Sequence, residues 1–224
     1  MEGVLMYYLP RYYPCQFCMT RQFGNESSYI RVLHAAPLTG GIDVYENGNN
    51  IARNLRYRGF TPYIKLPPKR YNINAYPTGT STNPLSSRTV DISPGGIYTL
   101  AAIGTPPNVE LYPIPDVRPQ MQSGMANIRF VNLSPDTPPV DIMLPDGRVL
   151  FSNTGYRGIT NYIPAAPGRY TLQAKVTGTN RIILTVPNIV LRQDKNYTFY
   201  LVGLSRGEPG LQLLIPLDGS TYLW

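Results

Sequence analysis

Apolar and polar residues alternate along much of this chain, with the period of two expected of a β-strand that is buried on one face. The clearest case runs from Tyr170 to Val176, where Tyr, Leu, Ala and Val alternate with Thr, Gln and Lys. Tyr71, Ile73 and Ala75 alternate with asparagines in the same way. The pattern therefore predicts short strands rather than helices.

The chain also contains the same sequence pattern twice. At an offset of 98 or 99 residues, the matched positions include Ile30-Arg31 with Ile128-Arg129, Tyr57-Arg58-Gly59 with Tyr156-Arg157-Gly158, Tyr63 with Tyr162, and Tyr98-Thr99 with Tyr197-Thr198. Such self-similarity at a fixed spacing indicates a tandem duplication of one unit of about 90 residues. We call the two units copy one and copy two.

Turn residues separate the predicted strands, for example at Asp146-Gly147 and Thr177-Gly178. Further strands of copy two are predicted at 127–133, 139–144, 147–152, 159–163, 182–186, 188–192, 197–203 and 211–216. Short strands with frequent turns are typical of an immunoglobulin-like antiparallel β-sandwich. The sequence thus predicts an all-β chain of four parts: an N-terminal tail at 1–28, a first sandwich at 29–116, a short proline-containing linker at 117–126 and a second sandwich at 127–224.

Composition narrows the protein classes. The 23 prolines and 20 glycines among 224 residues exclude long helices, because either residue destabilises a helix interior. A hydrophobic fraction of 42% argues against disorder. No apolar stretch is long enough to span a bilayer, and the N-terminus has no conventional signal peptide. We expect an extracellular or spore-surface location reached without that signal.

Both copies carry the pattern of a known family. The sequence Ile-Arg-Val-Leu-His-Ala-Ala-Pro at 30–37, followed by Ile-Asp-Val-Tyr at 42–45 and Tyr98-Thr99-Leu100, resembles the family called domain of unknown function 4397. Val-Asn-Leu-Ser-Pro-Asp at 131–136 resembles it in copy two. The resemblance implies tandem immunoglobulin-like or transthyretin-like sandwiches in bacterial secreted and surface proteins, without catalytic residues.

Residue types that carry chemistry are scarce. The chain has one histidine, His34, and two cysteines, so we expect no enzyme, no catalytic residues, no metal site and no cofactor. His34 corresponds to Asn132 in copy two, which favours a structural hydrogen-bonding role. Asp43 and Asp141 also correspond, and we expect them to face solvent or to hold a turn.

The N-terminal tail contains the only Cys-x-x-Cys pair, Cys15 and Cys18. The pair could form a local disulfide, remain as two thiols or form intermolecular disulfides. The tail also contains the apolar run Val4, Leu5, Met6, Tyr7, Tyr8 and Leu9, which has high β-propensity. Such a segment is either an ordered strand of its own domain or a subunit-joining strand lent to a neighbour.

The duplicated Tyr-Arg-Gly motif offers a second candidate site. Tyr57 with Arg58 and Tyr156 with Arg157 could contact a sugar or a carboxylate. The alternative is that the motif builds a turn. The net charge of +7 is spread along the chain, which is compatible with attraction to anionic cell-wall polymers and provides no specific nucleic-acid site.

These observations favour a non-enzymatic structural subunit that forms homo-oligomers or polymers. The tail would join subunits into a bacterial surface layer, spore coat or extracellular filament. The alternative is a cell-surface adhesion module that binds carbohydrate or cell wall.

Overall fold

The computed structural model describes residues 27–120 and 122–223, and these residues form an all-β fold. Copy one has eight strands in two four-stranded sheets. The outer sheet has the order β3-β2-β5-β6 and the inner sheet has the order β4-β1-β7-β8. The strands are β1 Ser28–His34, β2 Ile42–Glu46, β3 Asn49–Leu55, β4 Ile64–Leu66, β5 Arg70–Pro77, β6 Ser86–Asp91, β7 Ile97–Thr105 and β8 Asn108–Pro115.

Copy two repeats this arrangement strand for strand. Its outer sheet has the order β11-β10-β13-β14 and its inner sheet the order β12-β9-β15-β16. The strands are β9 Ala126–Asn132, β10 Val140–Met143, β11 Val149–Thr154, β12 Ile163–Ala165, β13 Gly168–Val176, β14 Ile182–Leu191, β15 Asn196–Val202 and β16 Gln212–Leu214. A 3₁₀ turn at Gly219–Thr221 follows. The predicted all-β sandwich class is confirmed.

Each sandwich has its own core, because alternate side chains of both sheets point between them. In copy one the core contains Ile30, Val32, Ile73 and Leu100. In copy two it contains Ile128, Phe130, Leu172 and Phe199. Most neighbouring strands are antiparallel, but β1 pairs with β7 in parallel and β9 pairs with β15 in parallel.

The inner sheets of the two copies pack face to face. Their second faces share an apolar cluster, which we call the boundary cluster, and its members come from both copies. It contains Leu33, Ala35, Ala101, Ile103, Ile114, Val131, Leu133, Tyr200 and Val202. The inner sheets are therefore buried on both faces, which explains why every residue of β9 and β15 is buried.

Three predicted strands differ in detail from the structure. The segment predicted at 159–163 forms only an isolated bridge at Ile159, and β12 starts at Ile163. The two strands predicted at 182–186 and 188–192 are one strand, β14. Its pairing with β13 shifts register near Asn188, whose φ is 62°. This local irregularity produces the break that the sequence suggested.

Candidate functional site

The N-terminal candidates lie outside the described residues. Cys15, Cys18 and the apolar run Val4 to Leu9 all precede residue 27. The intermolecular disulfide, the subunit-joining strand and the assembly that depends on them stay predictions.

His34 and its counterpart Asn132 are both fully buried at the end of the first strand of their copy. The Nε2 atom of His34 donates a hydrogen bond to the carbonyl of Gly40 at 2.7 Å. Asn132 donates to the carbonyl of Thr154 at 3.1 Å and accepts from the amide of Ser134 at 3.1 Å. Burial lowers the pKa of His34, which favours the neutral ring. Both side chains therefore fix neighbouring loops.

Asp43 and Asp141 hold turns, which was one of the two placements expected for them. Asp43 accepts hydrogen bonds from the amides of Asn54 at 2.6 Å and Gly79 at 3.0 Å. Asp141 accepts from the amide of Asn153 and the hydroxyl of Thr177, both at 2.8 Å. Burial alone would raise the pKa of Asp43, but these amide hydrogen bonds bring it below its usual value.

The Tyr-Arg-Gly motif forms the same turn in both copies. Arg58 and Arg157 have positive φ angles of 70° and 67°. A Cβ atom added at Gly59 or Gly158 would lie 2.8 Å from a backbone carbonyl oxygen, so only glycine fits. The carbonyl of Gly59 accepts a hydrogen bond from the amide of His34, which ties the turn to the end of β1.

Both arginines of the motif contact the other copy. The guanidinium of Arg58 donates to the side-chain oxygen of Gln212 in copy two. Arg157 lies 3.2 Å from the carboxylate of Glu110 in copy one, and its carbonyl accepts from the hydroxyl of Tyr112 at 2.8 Å. These contacts give the motif a place at the boundary between copies. A ligand role for Tyr57, Arg58, Tyr156 and Arg157 stays a prediction.

A buried charge cluster lies at the same boundary and was not foreseen. We define it as Arg31, Arg129, Asp116 and Asp218, none of which is more than 4% exposed. Arg129 contacts Asp116 at 2.8 Å, and Arg31 contacts Asp218 at 3.5 Å. Asp116 directly follows β8, whereas Asp218 lies beyond β16. Each arginine therefore pairs with the carboxylate of the other copy.

Each carboxylate is held by its own copy. Asp218 accepts hydrogen bonds from the hydroxyls of Thr198 at 2.7 Å and Tyr162 at 2.6 Å. Asp116 accepts from the corresponding Thr99 and Tyr63. Burial, followed by repulsion from Asp116, raises the pKa of Asp218 to about 7.

Each arginine is also held by a threonine of its own copy. The Nε atom of Arg31 donates to Thr99 at 2.9 Å, and that of Arg129 donates to Thr198 at 2.7 Å. The guanidinium groups lie over the rings of Tyr63 and Tyr162, respectively. The repeated Ile-Arg, Tyr and Thr positions of the sequence thus meet in one cluster, and their duplication was the signal that could have revealed it.

The outer sheet of copy one presents a different surface, which we call the Tyr45 face. Strand register places Asn50, Tyr45, Asn74 and Ser87 in one row across the four strands. The ring of Tyr76 packs against that of Tyr45 with centroids 5.7 Å apart. Within the described part of the chain, the hydroxyls of both tyrosines and the amide of Asn74 make no hydrogen bond.

The corresponding row of copy two has no aromatic residue. Met143 replaces Tyr45, Gln173 replaces Asn74 and Lys175 replaces Tyr76. Gln173 lies opposite both Met143 and Thr185, as Asn74 lies opposite Tyr45 and Ser87. The two outer faces thus share a backbone and differ in chemistry.

Comparison with protein families finds one family whose profile covers the whole duplicated region. The sequence profile described as "Domain of unknown function (DUF4397)" matches residues 28–143 and 126–220. The chain belongs to this family. The two matches overlap, and each begins at the start of one copy, so the resemblance noted in the sequence is confirmed. A search of curated proteins found no match for this DUF4397 protein.

Several solved bacterial structures are similar at low identity. The TIE protein of Bacillus anthracis is 12% identical with a TM-score of 0.25, and the match covers 78% of this chain and 33% of that one. The module CBMbc (family CBM26) of Eubacterium rectale Amy13K, solved with maltoheptaose, is 9% identical with a TM-score of 0.27, covering 87% and 99%.

A streptococcal virulence factor solved for its alpha-glucan binding is 12% identical with a TM-score of 0.28, covering 88% and 99%. This chain therefore spans only about a third of the Bacillus anthracis protein. All three TM-scores are below 0.5.

Within residues 27–120 and 122–223, no helix has the length and apolar character needed to cross a membrane. In the same ranges, no three or more His, Cys, Asp and Glu side chains are grouped so that they could hold a metal ion. The carboxylates described above are engaged in hydrogen bonds that hold turns or the boundary between copies.

Proposed function

We propose that this protein is a non-catalytic surface module that binds a neutral glycan through the Tyr45 face of copy one. The observation that carries the proposal is that two half-buried aromatic rings, Tyr45 and Tyr76, lie beside the amide of Asn74, which is unbonded among the described residues, on one face of a sheet. A pyranose has an apolar C–H face, which packs on an aromatic ring, and a rim of hydroxyls that donate and accept hydrogen bonds.

The side chains around Tyr45 suit that hydroxyl rim. An asparagine amide both donates and accepts, and so does a serine or threonine hydroxyl. Asn74 and Ser87 lie beside Tyr45 in the row, and Asn72 and Thr89 form the next row, joined by a 3.0 Å hydrogen bond. Successive sugars of a chain could thus contact successive rows.

The face is also nearly free of net charge. The carboxylate beside Tyr76 belongs to Asp43, which is 5% exposed and already accepts two amide hydrogen bonds. Arg53 lies near that carboxylate, and the exposed Arg70 pairs with Asp91, so the charges of the face offset each other and binding should depend little on salt. That property separates glycan binding from nonspecific attraction of the basic chain to anionic cell-wall polymers.

The test is calorimetric titration of the full chain with a panel of neutral oligosaccharides, including maltoheptaose, and with isolated cell wall. We expect one neutral glycan to bind, and Tyr45→Ala to weaken it at least about tenfold, since stacking contributes about 1–3 kcal/mol in comparable ring contacts. Met143→Ala, at the matching position of copy two, should leave the affinity unchanged.

Equal effects of Tyr45→Ala and Met143→Ala, or no binding to any member of the panel, would overturn the proposal. Binding that disappears at moderate salt would instead indicate an anionic polymer. Asn74→Ala is the second variant: it removes the amide from the exposed face and leaves the core intact.

A further inference from the structure

A cavity of about 280 Å³ opens between the two sheets of copy two. Its wall is formed mainly by apolar side chains of both sheets, among them Leu172, Phe199 and Ala165. Tyr170 and Arg148 are the lining residues with polar side-chain atoms. Protein cores are normally close-packed, so an apolar space of this size in one copy needs an explanation.

Copy one has a larger side chain at the position that corresponds to Ala165. Leu66 stands in β4 opposite Ser28, whereas Ala165 stands in β12 opposite Ala126, so the two residues occupy equivalent positions. Leu66 is 9% exposed and packs in its core. The change from leucine to alanine removes three carbon atoms at the wall of the cavity.

A second difference between the copies exposes the entrance of the copy-two cavity. Tyr71 and Tyr170 are equivalent, because each hydroxyl donates a 2.7 Å hydrogen bond to the carbonyl four residues earlier. In copy one the ammonium of Lys69 lies 4.8 Å from the centre of the Tyr71 ring, and Tyr71 is 1% exposed. Copy two has Gly168 in place of that lysine, and Tyr170 is only half-buried.

Arg148 lies at the rim of this cavity and is exposed. Within the described residues its guanidinium makes no ion pair or hydrogen bond. The neighbouring carboxylate, that of Asp146, accepts the backbone amide of Arg148 at 2.9 Å. A guanidinium binds a carboxylate through two parallel hydrogen bonds, so Arg148 is available for an anionic group above an apolar cavity.

We infer that copy two binds an amphipathic monocarboxylate, with its alkyl chain in the cavity beside Ala165 and its carboxylate on Arg148. If each carbon group takes the ~30 Å³ of a water molecule, the cavity holds an alkyl chain of about eight to ten carbons. This site lies in copy two, apart from the Tyr45 face of copy one, and does not depend on glycan binding.

The test is titration of the full chain with sodium decanoate, followed by calorimetry and by changes in the methyl NMR signals of copy two. Octanoate should bind about fifteenfold more weakly than decanoate, because each buried methylene changes affinity about fourfold. Ala165→Leu, which introduces the residue of copy one, should lower decanoate affinity at least about tenfold while the thermal unfolding temperature stays the same or rises.

The carboxylate is tested separately. Arg148→Gln should weaken decanoate at least about fivefold and leave decanol unchanged, because only the acid uses the guanidinium. Methyl decanoate and phospholipid vesicles distinguish a free acid from an esterified lipid chain: we expect methyl decanoate to bind at least about fivefold more weakly than decanoate, and vesicles to give no binding.

Equal decanoate affinity of the native chain, Ala165→Leu and Arg148→Gln, or the absence of decanoate binding, would overturn the inference. If Ala165→Leu fails to fold, Arg148→Gln at the exposed rim still decides the outcome. Glycan titration of the same variants separates a failure here from a failure of the proposed function.

Discussion

Copy one has Ala101 where copy two has Tyr200, although the strands around both residues match in register. Tyr200 is fully buried in the boundary cluster and packs near Phe60, with ring centroids 6.1 Å apart. One large and one small side chain thus meet where strict symmetry would place two equal ones. The copies have therefore diverged to fit each other.

The two equivalent arginines of the charge cluster make contacts of different length and number. Arg129 contacts Asp116 at 2.8 Å, whereas Arg31 lies 3.5 Å from Asp218, and the Nη2 atom of Arg31 is buried without a hydrogen bond among the described residues. Residues equivalent in sequence therefore carry unequal interactions.

The largest effect should come from Arg129→Met. Removing this cation leaves Asp116 buried without its partner, and we expect the free energy of unfolding to fall by about 3–5 kcal/mol in urea titrations. Arg31→Met is the matched change and should cost about 1 kcal/mol less, because Arg31 makes one hydrogen bond fewer. If both variants lose the same free energy of unfolding, the difference in contacts between Arg129 and Arg31 does not affect stability.

The pH dependence should come next in size. Because the folded-state pKa of Asp218 is about 7 and the unfolded value is about 3.9, the folded state binds this proton more tightly. The resulting stability is complete below the unfolded pKa and is lost as the pH rises through about 7. We therefore expect the free energy of unfolding to increase by on the order of 2 kcal/mol between about pH 7 and pH 5.

Asp218→Asn tests the assignment, since asparagine keeps the shape of the side chain and cannot titrate. Urea unfolding of this variant should change little over the same pH window. A native-like increase in the variant would mean that another group binds the proton.

The smallest effect should come from Arg157→Ala. Its ion pair with Glu110 joins the copies at the surface, where the side chain of Arg157 is 47% exposed. We expect the free energy of unfolding to fall by about 0.2–1 kcal/mol, because exposed pairs gain little in water. If Arg157→Ala lowers the free energy of unfolding as much as Arg129→Met does, then the exposed ion pair stabilises the boundary as strongly as the buried one, which would contradict this prediction.

The sequence predicted much of the fold and little of the boundary. Period-two alternation and the repeat were sufficient to predict strands and two sandwiches, because both depend on local spacing. The alternation of residues in β1 places Arg31 on the face opposite the core, and from the sequence alone that face is predicted to be exposed to water. Only the packing of the second copy buries that face, and no local pattern records such long-range docking.

The same limit applied to the candidate sites. The Tyr-Arg-Gly motif was visible as a duplicated triplet, but its contacts with Gln212 and Glu110 lie in the opposite copy. The Tyr45 face was missed because it is assembled by cross-strand register, which brings Asn50, Tyr45 and Asn74 together from three strands.

The reciprocal contacts of the charge cluster correspond to those of a two-fold dimer in which the partners share one chain. Because the connector between Pro115 and Ala126 tethers the partners, their pairing depends on a fixed effective concentration rather than on the amount of protein present. Such an internal dimer should remain assembled at any dilution.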